Sequence, residues 1–350
     1  MGRAHPRIVG AAMLVVGFAL VAVLGGLVAK HLIAGPDPWS ILGAAAGVAG
    51  LVLVVRGWQL LLGGLRRRWA RVVLAVLGTV LVAQFVLLPV GVALDVVGRP
   101  KAEGSGVTPT GYEDVRFTTA DGMEIAGWWR PGANGAAVIV LPGAGSTRED
   151  AADQADVLAG EGFGVLALDV RGHGQSGGPR MEFGWGAEQD VRAAVDWLEA
   201  RDDVTGGVGV LGLSMGGEVA LTAAALDPRI GAVVAEGATV RTWDDARRMP
   251  SPHPVGLANE WLLFGLVDLL ASAEPPMPLE DAVAAIDAPV LLIMGSPDNE
   301  RQLGPVYRDA NPSRVTLWDL PDTPHIAAIR THPDEYRERV AAQFAALVAD

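Results

Sequence analysis

The sequence predicts an α/β fold, with a mostly parallel sheet flanked by helices, behind an apolar N-terminal region. Three observations predict this organisation. Residues 1–95 are almost continuously apolar, whereas apolar strands alternate with amphipathic helices from residue 113 onward. Residues 1–95 carry eight basic and two acidic side chains, and the remainder carries nineteen basic and thirty-eight acidic ones. Alternating strands and helices are typical of a parallel sheet that is covered on both faces.

Residues 1–95 form a predicted transmembrane region. Its apolar segments, at about residues 8–29, 41–64 and 72–94, are each long enough to cross a hydrocarbon core of about 30 Å as a helix. A cleaved signal peptide is the competing interpretation of the first segment, but that segment exceeds the roughly 7–15 apolar residues of a signal sequence. We therefore expect three transmembrane helices in contact with membrane lipid, then a Gly- and Pro-rich linker over residues 96–112.

Composition excludes several classes of function. The acidic remainder of the chain would repel the phosphates of DNA or RNA, which argues against a nucleic-acid partner. The absence of cysteine excludes disulfides and cysteine nucleophiles. The sequence has no Walker-type phosphate loop and no histidine pair with metal-ligand spacing, so we expect no cofactor and no metal.

Residues 113–350 hold the predicted sheet, with one long interruption. About residues 239–286 show no strand pattern and include Val255–Ala273, which is apolar nearly all round. Parallel sheets carry their sites at the carboxyl ends of the strands. An insertion at this position would lie over those ends, so we expect a helical cap.

A candidate nucleophile stands in the stretch "GLSMG". Ser214 lies between Gly212 and Gly216, after an apolar strand and before a helix. A sharp turn between strand and helix needs small residues two positions before and after the serine. A serine hydroxyl also needs a base. His325, in "LPDTPHIAAI", follows the last predicted strand and comes after the serine in chain order, so it is the predicted base.

The base needs a carboxylate to orient it. Asp298, in "PVLLIMGSPDNE", follows a buried strand and gives the chain order Ser–Asp–His. Glu236, at the end of an earlier strand, is the alternative acid, and Asp322 is interpreted as a turn residue. The predicted oxyanion hole consists of the backbone N–H groups of Met215 and of Ala144, the latter in "LPGAGST".

Five motifs carry a family resemblance. In chain order, "LPGAGS", "ALDVRGHGQSGG", "GLSMGG", "PVLLIMGSPDN" and "TPHIAAI" resemble those of the α/β-hydrolases, in particular membrane-anchored serine hydrolases with a serine-aminopeptidase-like core. The resemblance covers residues 113–350. It implies the α/β-hydrolase fold and hydrolysis of an ester, thioester or amide through an acyl-enzyme. We interpret Asp169, Arg171 and His173 in the second motif as braces of the site.

Alternatives remain for the function. The same triad could transfer an acyl group to an alcohol other than water, and a non-catalytic membrane scaffold could keep the fold. The apolar cap suggests a lipid-like substrate, although a cap helix packed inward with no role in binding gives the same pattern. Arg3, Arg7 and Arg66–Arg71 lie on one side of a three-span region, which predicts a catalytic domain outside the cytoplasmic membrane.

Overall fold

The computed structural model describes residues 6–34, 38–250, 253–296 and 298–348. The chain divides into two compact units, Met1–Val92 and Ala93–Asp350.

The first unit is helical. Its helices are α1 (Pro6–Ala34), α2 (Pro38–Leu61) and α3 (Arg68–Val82), and α3 continues through a π-helical turn (Ala83–Leu87) into α4 (Leu88–Gly98). Helices α1 and α2 approach closely where glycines face each other, since a Cβ atom on Gly17 would lie 2.8 Å from the carbonyl oxygen of Gly50. Contact through small residues is typical of helices that associate in a membrane.

One helix within the described residues, Arg68–Gly98, is long and apolar enough to cross a membrane. Pro6–Val21 and Ala46–Leu61 are shorter apolar helical stretches. The predicted spans at about residues 8–29 and 41–64 fall on α1 and α2, and membrane crossing by those two helices stays a prediction.

Helix α4 extends into the predicted linker, residues 96–112. Helix α4 continues to Gly98, and Pro100 forms an isolated antiparallel bridge with Arg180. The physical reason is burial, because Ala93 and Val97 on the last turns of α4 pack in an apolar cluster with Trp185 and Val267.

The second unit is built on one eight-stranded sheet in the order β1-β2-β4-β3-β5-β6-β7-β8. Strands β1 and β2 form an antiparallel hairpin, β2 pairs antiparallel with β4, and all other pairings are parallel. The strands are β1 (Glu113–Thr118), β2 (Glu124–Arg130), β3 (Ala137–Leu141), β4 (Gly164–Asp169), β5 (Val208–Leu213), β6 (Ile230–Glu236), β7 (Val290–Ser296) and β8 (Val315–Pro324).

Helices cover both faces of this sheet. The helices after β3 are α5 (Ala152–Gly160), α6 (Glu188–Glu199), α7 (Met215–Leu226), α8 (Trp243–Arg248), α9 (Pro254–Leu270), α10 (Leu279–Ala285), α11 (Asp298–Ala310), α12 (Ala328–Thr331) and α13 (Pro333–Phe344). Of these, α6, α7, α10 and α11 contribute to one apolar core cluster, and α5, α12 and α13 contribute to the other. The central strands β3, β4 and β5 are buried along their whole length. Because these strands are buried on both faces, their sequences are continuous apolar runs and do not alternate between apolar and polar residues.

Three helices, α8, α9 and α10, lie between β6 and β7, where the cap is predicted. Helix α9 buries Phe264 and Val267, while Trp261 is 63% and Leu269 is 77% exposed. The helix therefore packs through one apolar face and leaves large apolar side chains on another.

Candidate active site

Ser214 stands on a sharp turn between β5 and α7. Its backbone has φ +52° and ψ −120°, a conformation that non-glycine residues rarely adopt. A Cβ atom on Gly212 would lie 2.0 Å from the carbonyl oxygen of Gly216, and one on Gly216 would lie 2.5 Å from that of Pro142. The two glycines are therefore required by close contact between backbones. Such strain is common where a side chain is presented for chemistry.

The structure brings the predicted serine and histidine together. His325 directly follows β8, and its Nε2 atom lies 2.9 Å from Ser214 Oγ. On the other side of the ring, Nδ1 lies 2.6 Å from Oε2 of Glu300. Glu300 is fully buried, and its Oε1 atom accepts a 2.6 Å hydrogen bond from the N–H of Gly295. The three side chains form a continuous chain of hydrogen bonds from hydroxyl to carboxylate.

Among the described side chains, the carboxylate that contacts His325 is that of Glu300. Asp298 is the first residue of α11, and its side chain lies outside the described residues. Glu300 lies two positions further on, in the first turn of that helix. Helix α11 begins at Asp298, and its first turn carries the residue that contacts the imidazole. The predicted segment therefore supplies a carboxylate to His325, and a role for Asp298 itself stays a prediction.

Several carboxyl groups act on the imidazole. The hydrogen bond that His325 donates to Glu300 raises the pKa of His325 above its usual value, and burial opposes this effect. The negative charge of Glu300, together with any carried by Glu218 and Glu236, raises this pKa further. A carboxylate that favours the imidazolium assists a histidine that must take a proton from serine.

The loop after β3 passes beside the serine. The N–H of Ser146 donates to the carbonyl of Gly143, which closes a turn over Ala144 and Gly145, and Gly145 has φ +70°. A Cβ atom on Gly143 would lie 3.4 Å from Cβ of Ser214. Ala144 therefore lies in a tight turn next to the nucleophile, as an oxyanion donor requires. Met215, the other predicted donor, is the first residue of α7, where N–H groups have no partner within the helix.

His173 holds this turn in place. Its Nε2 atom accepts a 3.2 Å hydrogen bond from the N–H of Gly145, and Nδ1 lies 3.0 Å from the carbonyl oxygen of Arg171. Only a neutral imidazole protonated on Nδ1 makes both bonds. Burial lowers the pKa of His173, which favours that neutral form.

Asp169 holds the other end of the same loop. Its carboxylate accepts hydrogen bonds from the backbone N–H and the guanidinium of Arg148, at 2.8 and 2.9 Å, and both side chains are buried. Arg171 instead pairs with Asp190 and Asp121. Of the three predicted braces, Asp169 and His173 contact the loop after β3 directly.

Within the described ranges, no group of three or more His, Asp or Glu side chains is placed to hold a metal ion.

Comparison with known proteins finds similarity to a peptidase family and to several individual proteins. A family model described as X-Pro dipeptidyl-peptidase (S15 family) matches residues 96–261, a range that includes Ser214 but neither Glu300 nor His325. The chain is 34% identical over 204 residues to an uncharacterised protein of Mycobacterium tuberculosis, and the match covers 57% of this chain and 66% of that protein. It is also 34% identical over 143 residues to a polyketide transferase of a Penicillium species, covering 39% of this chain and 49% of the transferase.

Solved structures give the same fold. An esterase of Pyrococcus furiosus superposes with a TM-score of 0.59 at 27% sequence identity, over 71% of this chain and 98% of the esterase. An α/β-hydrolase from a Penicillium species superposes with a TM-score of 0.51 at 20% identity, over 68% of this chain and 99% of that chain. The second unit therefore has the α/β-hydrolase fold, with the elements of the site at the carboxyl ends of its parallel strands.

The acid is tested by comparing two substitutions in one segment. We expect Glu300→Gln to lower kcat by roughly 10³–10⁴-fold, because an amide cannot stabilise the imidazolium. We expect Asp298→Asn, the matched control, to stay within about 3-fold of the wild type, far below the loss of a triad member. The measurement is hydrolysis of an activated ester, with circular dichroism to verify folding. A severe Asp298→Asn and a mild Glu300→Gln would reverse the assignment.

Glu300→Gln should also change the pH dependence of kcat/KM. His325 acts as a base only when neutral, so kcat/KM should rise with pH through the raised pKa of His325. Glu300→Gln removes the largest cause of that elevation, and the inflection of its residual activity should move to lower pH. An inflection at the same pH in both proteins would show that Glu300 does not set this pKa.

Proposed function

We propose that this protein is a membrane-anchored serine hydrolase that cleaves a carboxylic ester, thioester or amide through an acyl-enzyme. The observation that carries the proposal is the hydrogen-bonded chain from Ser214 Oγ through His325 to Glu300. It lies beside a tight turn that can offer backbone N–H groups to an oxyanion.

The geometry supports a double displacement. Ser214 Oγ attacks the substrate carbonyl carbon while His325 Nε2 takes the hydroxyl proton, and the N–H groups of Met215 and Ala144 stabilise the oxyanion. Collapse of the tetrahedral intermediate expels the leaving group, which receives that proton from His325. Water then attacks the acyl-enzyme, again with His325 as base, and the acid product leaves as Ser214 recovers its proton. Glu300 stays ionised and orients His325 throughout.

The relatives support hydrolysis first and acyl transfer second. One structural relative is an esterase, and sequence relatives include polyketide transferases and a thiohydrolase. An acyl-enzyme on Ser214 would serve hydrolysis or transfer in this protein, and the choice depends on which nucleophile reaches it. The serine-aminopeptidase-like core expected from the sequence stays a proposal. The family model that matches describes a different peptidase family, the X-Pro dipeptidyl-peptidases.

A fluorophosphonate probe tests the proposal. The wild-type protein should be labelled on Ser214, because an activated serine attacks the phosphorus and is trapped. Ser214→Ala should abolish labelling and lower kcat by roughly 10⁶-fold, and heat-denatured protein is the control for non-specific reaction. A native, folded protein that does not react would favour the non-catalytic scaffold. Product analysis with and without an added alcohol separates hydrolysis from transfer.

We further propose that α9 contributes to a binding site for lipid-like acyl groups. A cavity of about 280 Å³ lies between the cap and α11, and its lining includes Leu257 of α9 and Leu303 of α11. Leu303 lies three residues after Glu300, and Thr239, also in the lining, lies three residues after Glu236. The lining therefore includes residues close in sequence to Glu300 of the triad and to Glu236 at the end of β6.

A pair of leucine substitutions on one helix tests this role. Leu257→Asn should lower turnover of a long-acyl ester by about 10-fold more than that of an acetyl ester, because a polar amide replaces an apolar wall. Leu269→Asn, on the exposed surface of the same helix, should affect neither substrate. Equal losses with both esters would mean that α9 packs as a cap without contacting the acyl chain.

The membrane anchor and its orientation are also proposals. They are supported by the 31-residue apolar helix Arg68–Gly98 and by the excess of basic residues before the first and third predicted spans. With three spans and the basic residues inside, residues 95–350 lie outside the cytoplasmic membrane.

Protease accessibility tests the orientation. External protease added to intact cells or spheroplasts should digest the hydrolase domain, with a cytoplasmic marker protein as the control for lysis. Extraction by alkaline carbonate should leave the chain in the membrane fraction. Digestion only after lysis would place the domain in the cytoplasm.

A further inference from the structure

Glu236 contacts Ser214 and the turn that follows His325 while touching neither reacting atom. It is the last residue of β6 and is 2% exposed. Its backbone carbonyl accepts a 2.7 Å hydrogen bond from the N–H of Ser214. Its carboxyl Oε1 accepts a 2.9 Å hydrogen bond from the N–H of Ala328, the first residue of α12.

The second contact holds a strained turn. Ile326, directly after the catalytic histidine, has φ +48°, a conformation that is an outlier for a β-branched residue. The turn also contains a hydrogen bond from the N–H of Ala327 to the carbonyl of Pro324. Such strain persists only where surrounding contacts over-determine it. The Glu236 carboxyl supplies one of these contacts, two residues beyond Ile326.

The residue after Glu236 supports the imidazole directly. Gly237 has φ +74°, and a Cβ atom there would lie 2.7 Å from Cε1 and 3.0 Å from Nδ1 of His325. The backbone at Gly237 therefore lies against the ring, and its N–H donates to the carbonyl of Ile293 in β7. The end of β6 thus fixes the position of the serine, the ring and the turn that follows the ring.

We propose that Glu236 is a positioning residue: as a neutral acid, it ties the strained turn after His325 to the strand that holds Ser214, and so sets the distance between nucleophile and base. This inference rests on the serine-hydrolase function proposed above. Glu236 is not the orienting acid considered from the sequence, because Glu300 occupies that contact.

The surroundings favour the neutral form. Burial raises the pKa of Glu236 to about 7, the charge of Glu300 raises it as well, and the hydrogen bond from Ala328 opposes both. The other titratable groups that face this carboxyl are His325 and Tyr336, and Glu218 acts on His325 from α7. Glu236 Oε2 and the Tyr336 hydroxyl are both buried, and interaction with the Tyr336 hydroxyl lowers the pKa of Glu236. A second buried anion beside Glu300 would be costly.

Two substitutions separate positioning from charge. Glu236→Gln keeps an acceptor for the Ala328 N–H, and Glu236→Leu removes it at similar volume. We expect Glu236→Gln to keep kcat within about 3-fold and Glu236→Leu to lower kcat by roughly 10- to 100-fold with KM little changed, the scale expected when one buried N–H loses its acceptor. Asp245→Asn is the control, since Asp245 is also a buried carboxylate that accepts backbone N–H bonds, but in the cap.

The pH profile provides a second readout. A neutral Glu236 adds no charge beside His325, so Glu236→Gln should leave the acidic inflection of kcat/KM where it is in the wild type. A shift of that inflection to lower pH would overturn the neutral form, because it would show that the charge of Glu236 acts on His325, and this measurement remains decisive if Glu236→Leu does not fold. A loss of kcat in Glu236→Gln as large as in Glu236→Leu would overturn the proposal, because the charge would then be essential.

A spectroscopic readout separates this inference from the proposed function. The short bond between His325 Nδ1 and Glu300 should give a low-field proton resonance in the full-length protein in detergent. The resonance should persist in Glu236→Gln and disappear or broaden in Glu236→Leu. An intact resonance with wild-type kcat in Glu236→Leu would refute positioning. Failure of the wild type to label at Ser214 would refute the hydrolase function alone, since the resonance does not depend on turnover.

Discussion

The close approach of β5, α7 and the loop after β3 is the constraint on which the site depends. Backbone atoms of Gly212, Gly216 and Pro142 leave no room for a Cβ atom, so the chain must turn at Ser214 with a strained backbone. That turn sets the direction of the Ser214 side chain. It also places the start of α7 and the turn at Ala144 beside the same oxygen. The nucleophile and the candidate oxyanion donors are therefore consequences of one contact between backbones.

Several buried titratable side chains lie around the turn at Ser214 and around His325. Glu300, Glu236 and Glu218 are buried near His325, while the buried Arg148 guanidinium is neutralised by Asp169 on the opposite side. Buried carboxylates are costly unless they are paired, hydrogen-bonded or protonated. Glu300 meets this requirement through Gly295 and His325, and Glu236 meets it through its raised pKa. These carboxyl groups therefore raise the pKa of His325, and Glu300 is the one that accepts its hydrogen bond.

Sequence patterns predicted the parts of this arrangement that depend on local rules. Strand–helix alternation and the glycines beside Ser214 follow from sterics and burial, and they led to the sheet, the turn and the pairing of Ser214 with His325. The acid was different, because whether Asp298 or Glu300 faces the ring depends on the residue at which α11 begins. Helix boundaries shift by one or two residues with little change in energy, and the two carboxylates are two residues apart. The sequence could not predict the proposed role of Glu236 either, because that role depends on contacts between β6 and a turn about 90 residues later.

The last turns of α4 carry a consequence for how the chain can be divided. Ala93 and Val97 are buried against Trp185 and Val267, so this part of the apolar helix is structurally a piece of the hydrolase core. A shortened chain that starts at Tyr112, just before β1, would expose the apolar side chains of Trp185 and Val267 to solvent. One that starts before Ala93 would keep both side chains covered, although it would retain several apolar residues at its new terminus. The proper boundary for a soluble fragment therefore lies inside the helix and not at its end.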